Sequence, residues 1–239
     1  MGRLSNYEPA DMDAWTEATH GWTSRNTATT VTLSSDVAPI AGAEGKNPSQ
    51  HSVLGATGFS DIGPWFRLSI PTVLGEDYNC TERSGDFIHF WYKLNPGMGG
   101  IPPQCWIGSK IFLQDYYGNR IYRFMDMVAS NVWTEYVAPI GWSAAIYDYA
   151  NPDRKTARDW YYDTGFHTFN WDKISFIEFQ DWQTHPLCGQ RNQIWIDGLY
   201  FHQAFTPVYV AKNQLSFAKY GPRMERPSTV DFSSLKQLK

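Results

Sequence analysis

The sequence predicts an all-β protein: an antiparallel two-sheet β-sandwich of the jelly-roll kind with a C-terminal extended arm. Three observations predict it. Apolar and polar residues alternate with period two along eight segments, Gly, Pro, Asn or Asp bound most of those segments, and only a weak stretch near the C-terminus follows helical spacing. The segments cover residues 30–34, 65–71, 86–94, 106–114, 120–124, 132–137, 173–180 and 193–202. About eight such strands close into a sandwich or jelly roll. At 239 residues and 42% hydrophobic content the chain is long enough to bury a sizeable core, and all-β sandwiches of this length fold as one domain.

The intervals between the segments support the same reading. Residues 95–104, Asn-Pro-Gly-Met-Gly-Gly-Ile-Pro-Pro-Gln, have the composition of a crossover at a sandwich end. Asp115-Tyr116-Tyr117-Gly118-Asn119 is a short hairpin, because Gly and Asn accept the positive φ that such a turn demands. Residues 141–171 form the longest irregular stretch and carry Tyr147, Tyr149, Trp160, Tyr161, Tyr162, Phe166 and Phe169; loops of this length in compact domains are commonly functional. After His202 the alternation stops and Pro207, Pro222 and Pro227 punctuate a more polar segment. The sandwich is therefore expected over 1–204 and an arm over 205–239. That arm holds too many apolar residues for a solvated tail, so it is expected to lie on another chain or wrap an open sheet face.

Composition removes several function classes. A net charge of −4 without a long basic run argues against nucleic acid as partner. No apolar stretch approaches the roughly 20 residues that span a bilayer, and the first residues contain no hydrophobic signal region, so neither membrane nor export signal is expected. Cys80, Cys105 and Cys188 are far apart and odd in number, which gives no zinc site and leaves either three thiols or one disulfide. No G-x-S-x-G, H-E-x-x-H, P-loop or dinucleotide fingerprint occurs, and the six histidines are never at ligand spacing. Glu178 with Asp181 or Asp115 could be drawn as a glycosidase pair. A β-protein with 24 acidic residues offers such pairs by chance, so Glu178 reads as a partly covered residue paired to an Arg or a hydroxyl. The chain is expected not to be an enzyme.

Binding is the better expectation, because 16% of the residues are aromatic, with 11 Trp, 14 Tyr and 14 Phe. Flat rings lie against the apolar faces of sugars while planar polar groups hydrogen-bond the hydroxyls. Along 86–94, Ile88, Phe90, Tyr92 and Leu94 make the core face, which turns His89, Trp91 and Lys93 outward as ligand candidates unless a second layer covers them. Trp160, Tyr161 and Tyr162 are a second candidate platform, since adjacent rings in a loop cannot all point inward. A packed lid or a subunit contact would explain them equally. Strict alternation puts Asp197 on one face with Trp195, Leu199 and Phe201, where an unpaired carboxylate would cost several kcal/mol.

Four segments in order, Lys110-Ile-Phe-Leu-Gln-Asp-Tyr-Tyr-Gly-Asn119, Trp133-Thr-Glu-Tyr-Val-Ala-Pro139, Trp171-Asp-Lys-Ile-Ser-Phe-Ile-Glu-Phe179 and Ile194-Trp-Ile-Asp-Gly-Leu-Tyr-Phe201, resemble the galactose-binding-like jelly-roll modules, which include many carbohydrate-binding modules. The opening Asp11-Met12-Asp13-Ala14-Trp15 is similar to the start of such a module. The resemblance implies a structural calcium that Asp197 would share with Glu8, Asp11 or Asp13, hard oxygen ligands of the kind that ion takes. The alternative is that Asp197 caps a turn at Gly198 or pairs with an Arg. In the arm, Ala211-Lys-Asn-Gln-Leu-Ser-Phe-Ala-Lys-Tyr-Gly-Pro-Arg223 is similar to a segment of bacteriophage and archaeal-virus tail proteins, which implies a virion or extracellular surface. Together these imply a noncatalytic module that binds a glycan or host-surface receptor, carried on a virion tail or capsid. The other reading is a structural virion protein whose aromatic loops and arm bind neighbouring subunits.

Overall fold

The computed structural model describes residues 19–40, 49–57, 63–80, 86–95, 109–125, 131–141, 144–148, 159–180 and 193–202, together with 209–210 and 214–215. Among the described residues fourteen strands occur in the order β1 (Trp22–Ser24), β2 (Thr29–Ser34), β3 (Ser52–Thr57), β4 (Trp65–Ser69), β5 (Asp86–Asn95), β6 (Lys110–Asp115), β7 (Arg120–Phe124), β8 (Thr134–Ile140), β9 (Ile146–Tyr147), β10 (Trp160–Tyr162), β11 (Ile174–Gln180), β12 (Gln193–His202), β13 (Tyr209–Val210) and β14 (Gln214–Leu215). They form a seven-stranded sheet in the order β1-β4-β11-β6-β7-β10-β9 and a five-stranded sheet in the order β2-β3-β12-β5-β8. All pairings are antiparallel except β9 with β10. The protein is thus a β-sandwich.

Two units divide the chain, Met1–Ala204 and Phe205–Lys239. In the second, the described residues are the antiparallel pair β13 and β14, with Tyr209 opposite Leu215. The alternation that predicts the strands also sorts the layers of the first unit. Ile88, Phe90, Tyr92 and Leu94 of β5 face Phe66 and Leu68 of β4, Ile111 and Leu113 of β6, and Ile177 and Phe179 of β11 in one buried cluster. Burial of each such side chain stabilises by about 1.5–3 kcal/mol. Phe90 of the five-stranded sheet meets Phe179 of the seven-stranded sheet edge-on at 5.1 Å, and Phe179 stacks with Trp22 at 6.1 Å.

Several sequence expectations shift in the structure. The strand expected over 65–71 stops at Ser69, whose hydroxyl caps the single helical turn α1 (Ile70–Leu74) by accepting from Thr72 N; Pro71 suits a first turn and Gly75, at φ 82°, ends it. Residues 141–171 contribute β9 and β10 to the sheet edge. The Asp115–Asn119 turn forms as expected: Gly118 adopts φ 89°, and Asp115 accepts from Asn119 N at 2.8 Å. Pro139 sits within β8, which pairs only with β5 and so lies at a sheet edge, where a missing N–H is tolerated. Cys80 is a buried free thiol, and burial raises its pKa well above the ordinary range; Cys105 and Cys188 lie outside the described residues.

Strand β12 departs from strict alternation. Its pairing with β5 shifts between Asp197 and Tyr200, where Gly198 takes φ 57°. The bulge returns Leu199 and Phe201 to the core beside Ile194 and Ile196, so Asp197 shares its face with Trp195 and not with Leu199 or Phe201.

Gly55 of β3 packs directly on the opposite sheet: a Cβ there would sit 2.3 Å from two Phe66 ring carbons. Phe66 is fully buried and cannot yield. Gly55→Ala should therefore destabilise by about 1–3 kcal/mol through overpacking, lowering Tm by roughly 3–10 °C, measured by thermal denaturation.

Candidate functional site

The outer faces of the two sheets differ, and the difference locates the site. On the five-stranded sheet, residues 36–40 fold across the outward side chains. Ala38 and Ile40 are buried against Trp91, Trp133 and Tyr200. Ala38 N donates to Asp197 Oδ2 at 2.8 Å, and Trp133 Nε1 donates to Asp36 Oδ1 at 3.1 Å. The Lys93 ammonium pairs with Asp36 and lies 4.3 Å from the Trp195 ring centroid and 5.4 Å from that of Trp133. Burial holds its pKa below the usual lysine value. His89 Nε2 lies 2.6 Å from Glu135 Oε1, with the ring against Tyr200.

His89, Trp91 and Lys93 do point away from the core, as the alternation predicts, but Trp91 and Lys93 are engaged by this second layer and His89 by Glu135 and Tyr200 of its own sheet. Among the described residues the covering segment is 36–40. The other platform is dispersed. Trp160 is buried between the sheets, its Nε1 donating to Pro139 O at 2.6 Å, and Tyr161 is buried on the opposite side of the strand with Phe112 and Tyr122. Two-residue alternation in β10 separates these rings, so Trp160 and Tyr161 offer no open stacking surface; Tyr162 is half-buried against the core. Asp197 accepts from the backbone N–H of Gly198 and of Ala38, each at 2.8 Å. This is the turn-capping geometry. Among the described residues no group of three or more His, Cys, Asp or Glu could hold a metal, and Glu8, Asp11 and Asp13 lie outside them. Among the described residues Asp197 is therefore an amide-bound carboxylate.

The seven-stranded sheet presents a different outer face. One cross-strand row runs through Arg67, Glu178, Phe112, Tyr122, Tyr161 and Tyr147. Glu178 is 0% exposed, although its neighbours Ile177 and Phe179 point into the core. Its Oε2 accepts from Trp65 Nε1 at 3.1 Å and from Arg120 Nη2 at 3.0 Å. Its Oε1 faces Arg25 Nε at 3.2 Å and Arg67 Nη1 at 4.0 Å without an aligned hydrogen bond. Arg120 also pairs with Asp163 at 2.9 Å and lies over Phe112 at 4.4 Å. Arg25 lies over Trp65 at 5.1 Å and Arg67 over Phe176 at 4.1 Å. Further along, Lys110 lies over Tyr122 and Phe124; burial lowers its pKa, Asp163 opposing and Arg120 adding to the shift.

Chemically, this is a set of planar donors and rings locked around one carboxylate. Arg25 and Arg67 keep 29% and 26% of their side chains exposed, beside half-buried Trp65, Phe176, Gln114 and Gln180. Sequence reading found Glu178 and its Arg partnership but passed over Arg25, Trp65, Arg67, Arg120 and Phe176. The available signal was alternation: Trp65 and Arg67 flank the core residues Phe66 and Leu68, hence share an outward face.

Three substitutions check the wiring. Glu178→Gln should lower stability by about 2–4 kcal/mol, since it leaves clustered guanidinium groups without their counter-charge, their partial exposure limiting the loss. Denaturant unfolding of Glu178→Gln, Arg67→Gln and the double variant should show a smaller loss in the double than the sum of the singles. Asp197→Asn should cost about 1–3 kcal/mol by turning a donor toward a buried amide, read in the same unfolding experiment.

No family model matches the chain. No curated protein matches it either. Among solved structures it is similar to an agarase, at 8% identity over 77% of this chain and 24% of that one, with a TM-score of 0.45. It is similar to the enzymatically active domain of bacteriophage CBA120 tailspike protein 4, at 13% identity over 82% of this chain and 22% of that one, TM-score 0.45. A third is the CBM22-1 xylan-binding domain from Paenibacillus barcinonensis Xyn10C, at 13% identity over 77% of this chain and 85% of that one, TM-score 0.37. The chain spans about a quarter of the first two proteins and most of the third.

Proposed function

We propose that this protein is a noncatalytic carbohydrate-binding module whose ligand lies along the outer face of the seven-stranded sheet. One observation carries the reading: Arg25 and Arg67, each laid on an aromatic ring, are held by a buried carboxylate at the edge of an aromatic cross-strand row. A sugar needs both kinds of group, since its ring C–H bonds lie on aromatic faces while its hydroxyls take hydrogen bonds from planar side chains. Arg25, Arg67, Gln114 and Gln180 supply the planar polar groups; Trp65 and Phe176 supply rings. Because Glu178 and the rings already fix the guanidinium groups, little side-chain freedom is lost on binding. The same engagement argues against Glu178 as an acid or base, for its charge is consumed by the arginines.

The reading is tested by affinity electrophoresis or calorimetry of the full chain against a panel of soluble polysaccharides. At least one should bind, and Phe176→Ala and Gln180→Ala should each weaken that binding by about tenfold without lowering Tm by more than a few degrees. Absence of binding across the panel, or binding that neither substitution alters, would overturn it.

A further inference from the structure

Charge on the proposed face is unevenly met. Arg120 is shared between Glu178 and Asp163 and donates an aligned hydrogen bond to Glu178 Oε2. Arg25 and Arg67 are left to share Glu178 Oε1, one oxygen that receives no aligned hydrogen bond, and the buried Nε of each, like that of Arg120, makes no aligned hydrogen bond among the described residues. Two guanidinium groups within 4.0 Å of one carboxylate oxygen repel each other across it. The Arg67 pKa shows the imbalance: burial lowers it most, the charge of Arg25 next, and Glu178 opposes both only partly. This cationic spot stands on a chain of net charge −4, so it is a local arrangement and not a reflection of overall composition.

Resting on the carbohydrate reading above, we infer that the ligand is an acidic glycan, with a carboxylate or sulfate group of the sugar chain received by Arg25 and Arg67. Guanidinium forks match the planar or trigonal oxygens of such anions and form charge-assisted hydrogen bonds with them. A second anion at this point supplies counter-charge where Arg25 and Arg67 share a single oxygen of Glu178. A neutral glycan could use the rings and amides but would leave that repulsion in place.

The experiment compares matched pairs of polymers on the full chain: polygalacturonate with its methyl ester, and carrageenan with its desulfated form. The acidic member of at least one pair should bind about tenfold or more tightly than the neutral member, and the preference should shrink as salt rises from about 20 mM to about 0.5 M. Preference within the first pair alone assigns a uronate, and within the second alone a sulfate. Arg67→Gln and Arg25→Gln, each checked for an unchanged fold by circular dichroism, should reduce the acidic preference more than they reduce neutral binding. If either variant fails to fold, the salt dependence of the unaltered chain still decides. Equal binding of acidic and neutral members overturns the inference while leaving the carbohydrate reading intact. Failure to bind either acidic polymer, with binding retained on the neutral panel, overturns it in the same way. Failure on every polymer overturns both.

Discussion

A carboxylate with no exposed surface, placed on the outward face of a sheet, is the constraint around which the seven-stranded layer is arranged. Removing Glu178 from water costs several kcal/mol unless fixed groups replace the lost hydration. The replacements arrive from three places: Trp65 and Arg67 from β4, Arg120 from β7, and Arg25 from the turn after β1. Strand β4 lies beside β11, but Arg120 must reach past β6, and it does so over the ring of Phe112. A slip of one residue in β4 would turn Trp65 and Arg67 into the core and Phe66 and Leu68 out of it. The carboxylate therefore penalises wrong registers as well as contributing to the right one.

The other sheet resolves its outward charges differently. Lys93 has Asp36 and His89 has Glu135, one partner each, and residues 36–40 close over the rings between them. Trp195 Nε1 and Trp133 Nε1 also find acceptors, in Ser34 and Asp36. Such a face has the character of a second packing layer, although His89 Nδ1 is buried there without a hydrogen-bond partner among the described residues. The seven-stranded face, with Arg25 and Arg67 sharing one oxygen, keeps donors that its own described side chains do not satisfy. That contrast, one carboxylate for each cation on one face and one carboxylate oxygen between two cations on the other, distinguishes the two outer faces more than their number of rings does.

How much of this was legible follows from what sets each element. Period-two alternation revealed β5, β7 and β12 nearly to their ends, because buried and exposed side chains must alternate when one face meets a core. It missed β3, whose Gly55 has no side chain to register in the pattern yet is required by the ring of Phe66. It missed β9 and β10, which are too short at two and three residues for a period to show. The Gly198 bulge reversed the expected face of Leu199 and Phe201, since one inserted residue inverts every later assignment. Glu178 and an arginine partner could be anticipated from one strand. Arg25 could not, as it lies outside any strand and reaches the site only because β1 pairs with β4.

The arginines also divide their work in a way that bears on recognition. A guanidinium has five N–H donors, and each one committed to the protein fixes the side chain but is withdrawn from a ligand. Arg120, bound to two carboxylates and laid over Phe112, is the most committed and the most enclosed of the three. It holds Glu178 Oε2 and so leaves Oε1 turned toward Arg25 and Arg67. Those two are oriented by a ring on one side and one shared oxygen on the other, with about a quarter of each side chain open to solvent. Rigidity and availability thus fall on different residues: Arg120 orders the carboxylate, while Arg25 and Arg67 stay partly open to solvent.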